Sequence, residues 1–355
     1  MGNPFKFGSV AEGNYFTDRI NETREIATFL DSNNHLVLIS PRRYGKTSLI
    51  KKVLSTLDRP AVYLDLQLVT GVADMATQLM KRFLKVNAWE RMKHLMANFR
   101  IIPTIEINPL TNEAGVSFSP SAADNFATLE DVLDLIEKSG DSGKRPIVVF
   151  DEFQEIDSLG KTLSKQLRSI MQHHANINYI LMGSAESMMR RMFEIKKSPF
   201  YHFAALMTLE KIPYEDFWKY LEERLSEVTK KSAEVAGEVL EFTECHPYYT
   251  QQLGFYCYAF LERNNYRENL ITTISGQIVE LHDNDYERLW GTLNKTDRQL
   301  LITLATGRSV SQAGIPTSTA YSALKRLAVQ GFLIKEESYG FDDPFFKLWI
   351  RSSRA

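Results

Sequence analysis

The stretch "HLVLISPRRYGKTSLIKKVL", residues 35–54, constrains the fold more than any other. An apolar, β-branched run of strand length enters a short basic turn. Apolar residues at helical spacing follow, with Leu49, Ile50, Val53, Leu54 and Leu57 on one face. A strand that feeds a helix so directly is the opening of an α/β unit. The same alternation recurs, with "AVYLDL" (61–66), "PIVVFD" (146–151), "NYILMG" (178–183) and "ALMTLE" (205–210) reading as further strands. Strands separated by helical patterns predict a parallel sheet with helices on both faces.

The turn between the first strand and helix follows G-x-x-x-x-G-K-[ST], with Ser40 in place of the first glycine. In such a loop, backbone N–H groups and a helix N-terminus converge on phosphate oxygens. Gly45 permits close backbone approach, Lys46 can reach the β- and γ-phosphates, and the Thr47 hydroxyl can ligate Mg²⁺. The first glycine mainly eases the exit from the strand, so a small serine is tolerated unless φ must be positive there. Taken alone, the stretch also reads as a basic turn before an ordinary helix. A second element, "RPIVVFDEFQEI" (145–156), changes that balance. It is an apolar strand ending in two acids, with Asp151 placed to hold Mg²⁺ and Glu152 to orient and deprotonate a water. Together the two stretches predict a nucleotide site built on Ser40, Pro41, Arg42, Arg43, Tyr44, Gly45, Lys46, Thr47 and Ser48. The implied cofactors are ATP and Mg²⁺, with Thr47 and Asp151 as metal ligands.

Composition excludes several other classes. The chain has 355 residues, 44% of them hydrophobic and 24% charged, as in ordinary globular proteins. No apolar run is long enough to span a bilayer, and "MGNPFKFGSV" has neither a signal-peptide core nor a myristoylation pattern, because Lys6 stands where Ser or Thr is wanted. A cytoplasmic protein with no membrane contact is the expectation. Two cysteines, Cys245 and Cys257, imply neither a disulfide framework nor a metal site. Net charge is −2, but residues 291–355 hold nine Lys/Arg against five Asp/Glu.

Residues 72–99 look helical. Alternation in "TIEI" and "GVSF", around the turn-rich "NPLTNEAG", predicts a β-hairpin insertion near 100–128. From about 213 to 285 the pattern is helical, starting after Pro213. The last segment offers a helix ended by Gly307, a second between Pro316 and Gly331, and two short strands around "ESYG". Helix, helix, hairpin is the order of a winged helix.

In order along the chain, "NYFTDRINETREI", "SPRRYGKTSLI", "VVFDEFQEI", "LMGSAESMM", "ECHPYYTQQL" and "DPFFKLWIR" resemble the archaeal-type ATPase family, which belongs to the AAA+-like STAND ATPases. The resemblance covers nearly the whole chain. It implies an α/β P-loop NTPase core with a five-stranded parallel sheet (1–210), an α-helical lid (211–288) and a C-terminal winged-helix domain (289–355). It implies that Ser184 senses the γ-phosphate, so that Lys46, Glu152 and Ser184 form the catalytic set. It places His246-Pro247 against the adenine and the segment from Phe16 to Arg19 at the border of the base. Two positions depart from the family: Ser40, and Tyr201-His202-Phe203 where relatives often carry Tyr-Gly-Arg. If that arginine contacts the γ-phosphate in relatives, Arg190 and Arg191 are the nearest substitutes.

The resulting expectation is an ATP-hydrolysing switch, with nucleotide between core and lid and signalling through the winged helix to an unidentified protein partner. The alternative is a nucleotide-binding protein-contact or DNA-binding module with negligible turnover. A DNA reader would use Thr317, Ser318, Tyr321, Ser322, Lys325 and Arg326, helped by Arg351 and Arg354. Glu336, Glu337, Asp342 and Asp343 oppose that, and the apolar "FFKLW" patch (Phe345, Phe346, Leu348, Trp349) favours a protein contact. Oligomeric state is not readable from the sequence.

Overall fold

The structure is a computed structural model describing residues 2–17, 19–86, 104–107, 114–117, 125–140, 144–160, 162–264 and 266–354. Contacts divide the chain into two compact units. One gathers residues 19–42 and 46–210, the other 1–18, 43–45 and 211–355.

The first unit is built on β1 (Leu36–Ile39), β2 (Ala61–Asp65), β5 (Ile147–Asp151), β6 (Asn178–Gly183) and β7 (Ala205–Thr208), in the order β2-β5-β6-β1-β7. All these pairings are parallel. Every residue of β1, β5 and β6 is buried, which is why those strands read as continuous apolar runs rather than alternating ones. Helices Val72–Val86, Asn125–Lys138 and Leu163–Met171 supply Leu79, Phe83, Val132, Ile136 and Leu167 to the core that packs on Val148, Phe150 and Leu181. The chain is therefore an α/β P-loop NTPase fold. Of the helix expected over 72–99, the part from Val72 to Val86 is seen and residues 87–99 lie outside the described residues. A separate antiparallel pair joins β3 (Thr104–Ile107) to β4 (Ala114–Ser117), with Thr104 opposite Ser117. The intervening turn lies outside the described residues.

The second unit is helical from Tyr214–Leu225 through Ser232–Thr243, Pro247–Leu261, Leu270–Leu281 and Asp283–Thr292. Helices Lys295–Ala305 and Thr317–Val329 follow, then the antiparallel pair β8 (Leu333–Lys335) and β9 (Tyr339–Phe341). The stretch after β9, expected only as an apolar patch, is a helix, Pro344–Ser353. Asp343 caps it by accepting hydrogen bonds from the Phe345 and Phe346 N–H groups at 2.8 and 3.1 Å. Phe345, Phe346 and Trp349 are buried in the same core as Leu221, Val239, Leu253 and Ile278, with Leu348 partly buried against it. That patch is interior, so it no longer argues for a partner. The N-terminal segment belongs to this unit as well. Phe5 packs over Gly254, where an added Cβ would lie 3.1 Å from the ring, and Asn3 Nδ2 donates to the Phe255 carbonyl at 2.9 Å.

At the N-terminal edge of the sheet, His35 lies among Tyr179, Phe203 and Arg168, and its Nδ1 accepts from the Tyr179 N–H at 3.3 Å. Burial, with the Arg168 and His174 charges behind it, lowers its pKa to about 4. A base depressed in the fold contributes stability that is present above about pH 6.5 and lost as pH falls toward 4, up to about 3 kcal/mol in all. Thermal unfolding followed from pH 7 to 4.5 is expected to show a smaller loss for His35→Gln than for the parent chain.

Candidate functional site

The register brings three strand ends together. Gly183 of β6 pairs with Ile39 of β1, and β5 ends at Asp151 on the other side of β6. The loop after β1, the acids after β5 and Ser184 after β6 therefore share the C-terminal edge of the sheet, where ligands bind in open α/β folds.

Helix Lys46–Thr56 starts directly at the loop, so its first N–H groups have no partners within the helix. Lys46 is only 6% exposed. Its ammonium donates to the Ser40 and Pro41 carbonyls, each at 3.0 Å, and to Ser40 Oγ at 3.2 Å. Burial lowers the Lys46 pKa, opposed by the nearby Glu152, Asp151 and Glu186 charges. Ser40 is fully buried, and positive φ occurs instead at Arg43 (63°) and Gly45 (88°). The glycine pattern can thus be broken at position 40 without strain, and the serine adds an oxygen that holds Lys46.

Thr47 Oγ1 donates to Asp151 Oδ2 at 3.3 Å. The Tyr63 hydroxyl donates to the same oxygen, and the Glu152 N–H to Oδ1 at 2.9 Å. Burial raises the Asp151 pKa, and the Tyr63 hydrogen bond pulls it back. Glu152 itself sits at φ 50°, a left-handed conformation that costs a non-glycine residue about 1–3 kcal/mol. Its Oε2 accepts from Ser184 Oγ at 2.6 Å and from Gln154 Nε2 at 2.5 Å. Burial pushes this carboxyl up, but those hydrogen bonds and Lys46 outweigh it and hold the pKa below the usual value. Lys46, Thr47, Asp151, Glu152 and Ser184 lie together at this edge.

Sequence pattern alone gives Tyr63 and Gln154 no role. The only signal was a polar tip inside an otherwise apolar strand, "AVYLDL", and an amide inside "EFQEI". Other candidates lie elsewhere. Arg19 is 3% exposed, and its guanidinium is held by Glu22 Oε1 at 2.7 Å and by the Glu210 carbonyl at 2.6 Å. Phe203 precedes β7 and lies beside His35, at the opposite end of the strands from Asp151. Its identity therefore cannot alter the chemistry of this edge within one chain. Arg190 is at the right edge, where it donates to Thr208 Oγ1 at 3.2 Å and pairs with Glu194 at 2.9 Å. Arg42 is exposed, Pro41 and Ser48 are partly buried, and Arg191 is exposed on helix Glu186–Glu194.

Within the second unit, Arg43 lies 4.5 Å over the Tyr248 ring and donates to the Tyr249 hydroxyl at 3.2 Å. Tyr44 meets His246 edge to face at 5.1 Å. His246 is 2% exposed and caps helix Pro247–Leu261 by accepting the Tyr248 N–H at 3.2 Å, while its Nε2 lies 3.5 Å from Asp342 Oδ1. Phe16 and Pro247 are half-buried.

A family model described as an ATPase domain predominantly from Archaea matches residues 16–253. The chain belongs to this family. Among solved structures, its fold is similar to that of the Walker-type ATPase PABY2304 of Pyrococcus abyssi, at TM-score 0.67 and 20% identity over 96% of this chain and 97% of that one. It is also similar to the Aeropyrum pernix ORC2 protein, solved as ADPNP–ADP complexes, at TM-score 0.55 and 13% identity over 96% and 94%. No curated protein sequence matches. Family and fold together make this archaeal-type ATPase domain a nucleotide-binding protein.

The close packing at the strand ends sets a first test of the site. A Cβ on Gly183 would lie 2.5 Å from both Gln154 Oε1 and the Met189 side chain. Gly183→Ala is expected to lower stability by about 1–3 kcal/mol in denaturant unfolding, because Met189 and Gln154 must both move.

Proposed function

We propose that the chain is a Mg²⁺-dependent, ATP-hydrolysing switch of the AAA+-like STAND type. The observation that carries this reading is Glu152, an ionised carboxylate anchored on one oxygen at the strand ends that also hold Lys46, Asp151 and Ser184. In this reading Lys46 leaves its loop carbonyls for the β- and γ-phosphates. Ser184, bonded to Glu152, reports the γ-phosphate to the base. Glu152 takes the proton of the attacking water. Thr47 and Asp151 fit a Mg²⁺ that keeps waters and phosphate oxygens as its other ligands, since this mode needs only one or two protein oxygens. No group of three or more His, Cys, Asp or Glu residues suited to a metal occurs among the described residues, and a phosphate-carried Mg²⁺ needs none. The bound ion supplies charge neutralisation on the phosphates.

The switch element of the proposal rests on the tip of the loop. Arg43–Gly45 belong to the second unit. There Arg43 holds Tyr249, and the Tyr249 and Tyr286 hydroxyls face Asp343, the cap of the last helix. Within that unit the network runs from Arg43 to the cap of the C-terminal helix. Phe16 and Pro247 keep partial exposure for contact with the base, whereas His246 is used in capping. We assign residues 211–288 to the lid and 289–355 to the winged helix.

Lys46→Ala is expected to abolish ATP binding by calorimetry and also to lower stability, because Asp151 and Glu152 lose the counter-charge of a buried cation. Glu152→Gln is expected to keep binding and slow single-turnover hydrolysis by about 10²–10⁴-fold. Equal turnover in Glu152→Gln would favour the alternative, a nucleotide-binding module that does not use hydrolysis.

For the C-terminal segment we favour a protein contact over DNA. Thr317, Ser318, Tyr321, Ser322, Lys325 and Arg326 are exposed. However, Arg326 Nε donates to the buried Asp297 at 3.0 Å, and Arg354 pairs with Glu287. Lys325 lies 4.5 Å over the Tyr321 ring. Glu336 is paired with Lys211 at 3.0 Å. Asp342 and Asp343 face His246 and the helix cap rather than solvent, so the repulsion expected of them falls away. Binding to duplex DNA is expected to stay weaker than micromolar at about 50 mM salt. Nanomolar binding, lost steeply by about 200 mM and abolished in Lys325→Ala, would reverse the preference.

A further inference from the structure

Gln154 sits in the short 3₁₀ helix Phe153–Asp157 that follows Glu152, and it is 4% exposed. Its Nε2 donates to Glu152 Oε2 at 2.5 Å, on the same oxygen that accepts from Ser184 Oγ at 2.6 Å. Glu152 Oε1 accepts no hydrogen bond among the described residues. The two carboxylate oxygens therefore differ. One is gripped from two sides and the other is left for chemistry.

The other end of the Gln154 amide makes the case. Its Oε1 is buried with no hydrogen-bond partner among the described residues. A buried orphan carbonyl costs about 1–3 kcal/mol, and such a group in a native structure asks for an explanation. Turning the amide over would not help. It would set a carbonyl against a carboxylate and bury the NH₂ group beside Gly183 instead. A methionine would fill similar space with no polar atom to desolvate. Space has also been cleared for this amide, because a Cβ on Gly183 would lie 2.5 Å from Gln154 Oε1. Stability does not explain the glutamine. The positive φ of Glu152 does connect with it, since a side chain launched from a strained backbone needs a fixed point to hold one direction.

We propose that Gln154 is the positioning residue for Glu152: its amide, seated beside Gly183, fixes Oε2 so that Oε1 is held for the attacking water. This rests on the hydrolysis reading above. Ser184 donates to the same Oε2 from its N–H at 3.4 Å and its Oγ at 2.6 Å, so it grips that oxygen from one side only, and it is also the residue expected to respond to the γ-phosphate. Gln154 keeps the carboxylate in place when Ser184 changes partner.

The test uses the full chain with Gln154→Met, Glu152→Gln and the double variant. Gln154→Met is expected to keep the melting temperature equal to or above that of the parent, because the orphan carbonyl is gone. Kd and KM for ATP should stay within about twofold. The turnover number should fall by about 10–100-fold, the scale of a misplaced catalytic group. In the Glu152→Gln background, Gln154→Met should have no further effect on turnover. A residue that only packs would instead lower the melting temperature, or act equally in both backgrounds. A second readout needs no activity. With ¹⁵N-labelled glutamine, the side-chain amide resonance that Gln154→Met removes should shift in Glu152→Ala without nucleotide. If that resonance does not move, the contact is wrong. If Gln154→Met turns over normally while Glu152→Gln does not, the proposal falls and the hydrolysis reading stands. If Glu152→Gln turns over like the parent, the hydrolysis reading falls and takes the proposal with it.

Discussion

A buried ammonium in the field of one buried and two half-buried carboxylates is the constraint on which the rest of this structure depends. Lys46 is almost sealed from solvent, and its hydrogen bonds go to neutral carbonyl and hydroxyl oxygens of its own loop. Burial disfavours its charge, and what offsets that is the field of Glu152, Asp151 and Glu186. Those acids are themselves desolvated, so each sign stabilises the other only while the strand ends stay in register. The sheet order delivers this. β6 runs between β1 and β5, so the loop after one neighbour and the acids after the other meet across it.

The two acids are then separated in character by their surroundings. Asp151 points into the sheet edge, where burial raises its pKa and Tyr63 and Thr47 donate to one oxygen. Glu152, one residue later, is turned by its left-handed backbone toward Ser184 and Gln154, which hold it ionised. Adjacent carboxylates thus acquire different surroundings because the backbone turns left-handed at Glu152. That division is the physical basis for reading one as a metal ligand and the other as a base.

The loop's tip has a different allegiance from its base. Ser40 to Arg42 and Lys46 onward belong to the sheet unit, while Arg43–Gly45 belong to the helical unit. Arg43 and Tyr44 make aromatic and hydrogen-bonded contacts to Tyr248, Tyr249 and His246 there. Within that unit the Tyr286 hydroxyl donates to Asp343, the residue that caps the final helix.

The sequence alone determined the parallel sheet, because strands buried on both faces must be apolar throughout, and β1, β5 and β6 are. It also marked Lys46, Thr47, Asp151 and Glu152 as candidates by their offsets from strand ends, and these four lie at one edge of the sheet. The tertiary structure decided what depends on neighbours distant in sequence. Gln154 and Tyr63 matter through which oxygen they reach, and periodicity carries no such information. Arg326 read as a surface cation until packing set Asp297 beneath it. Phe345, Phe346 and Trp349 read as an apolar patch of which part must complete the domain's own core, and the last helix buries all three there. Phe203, tied to the γ-phosphate only through the arginine that relatives often carry there, lies at the edge opposite Asp151. Local pattern specifies what a residue can do; only the fold specifies what it is beside.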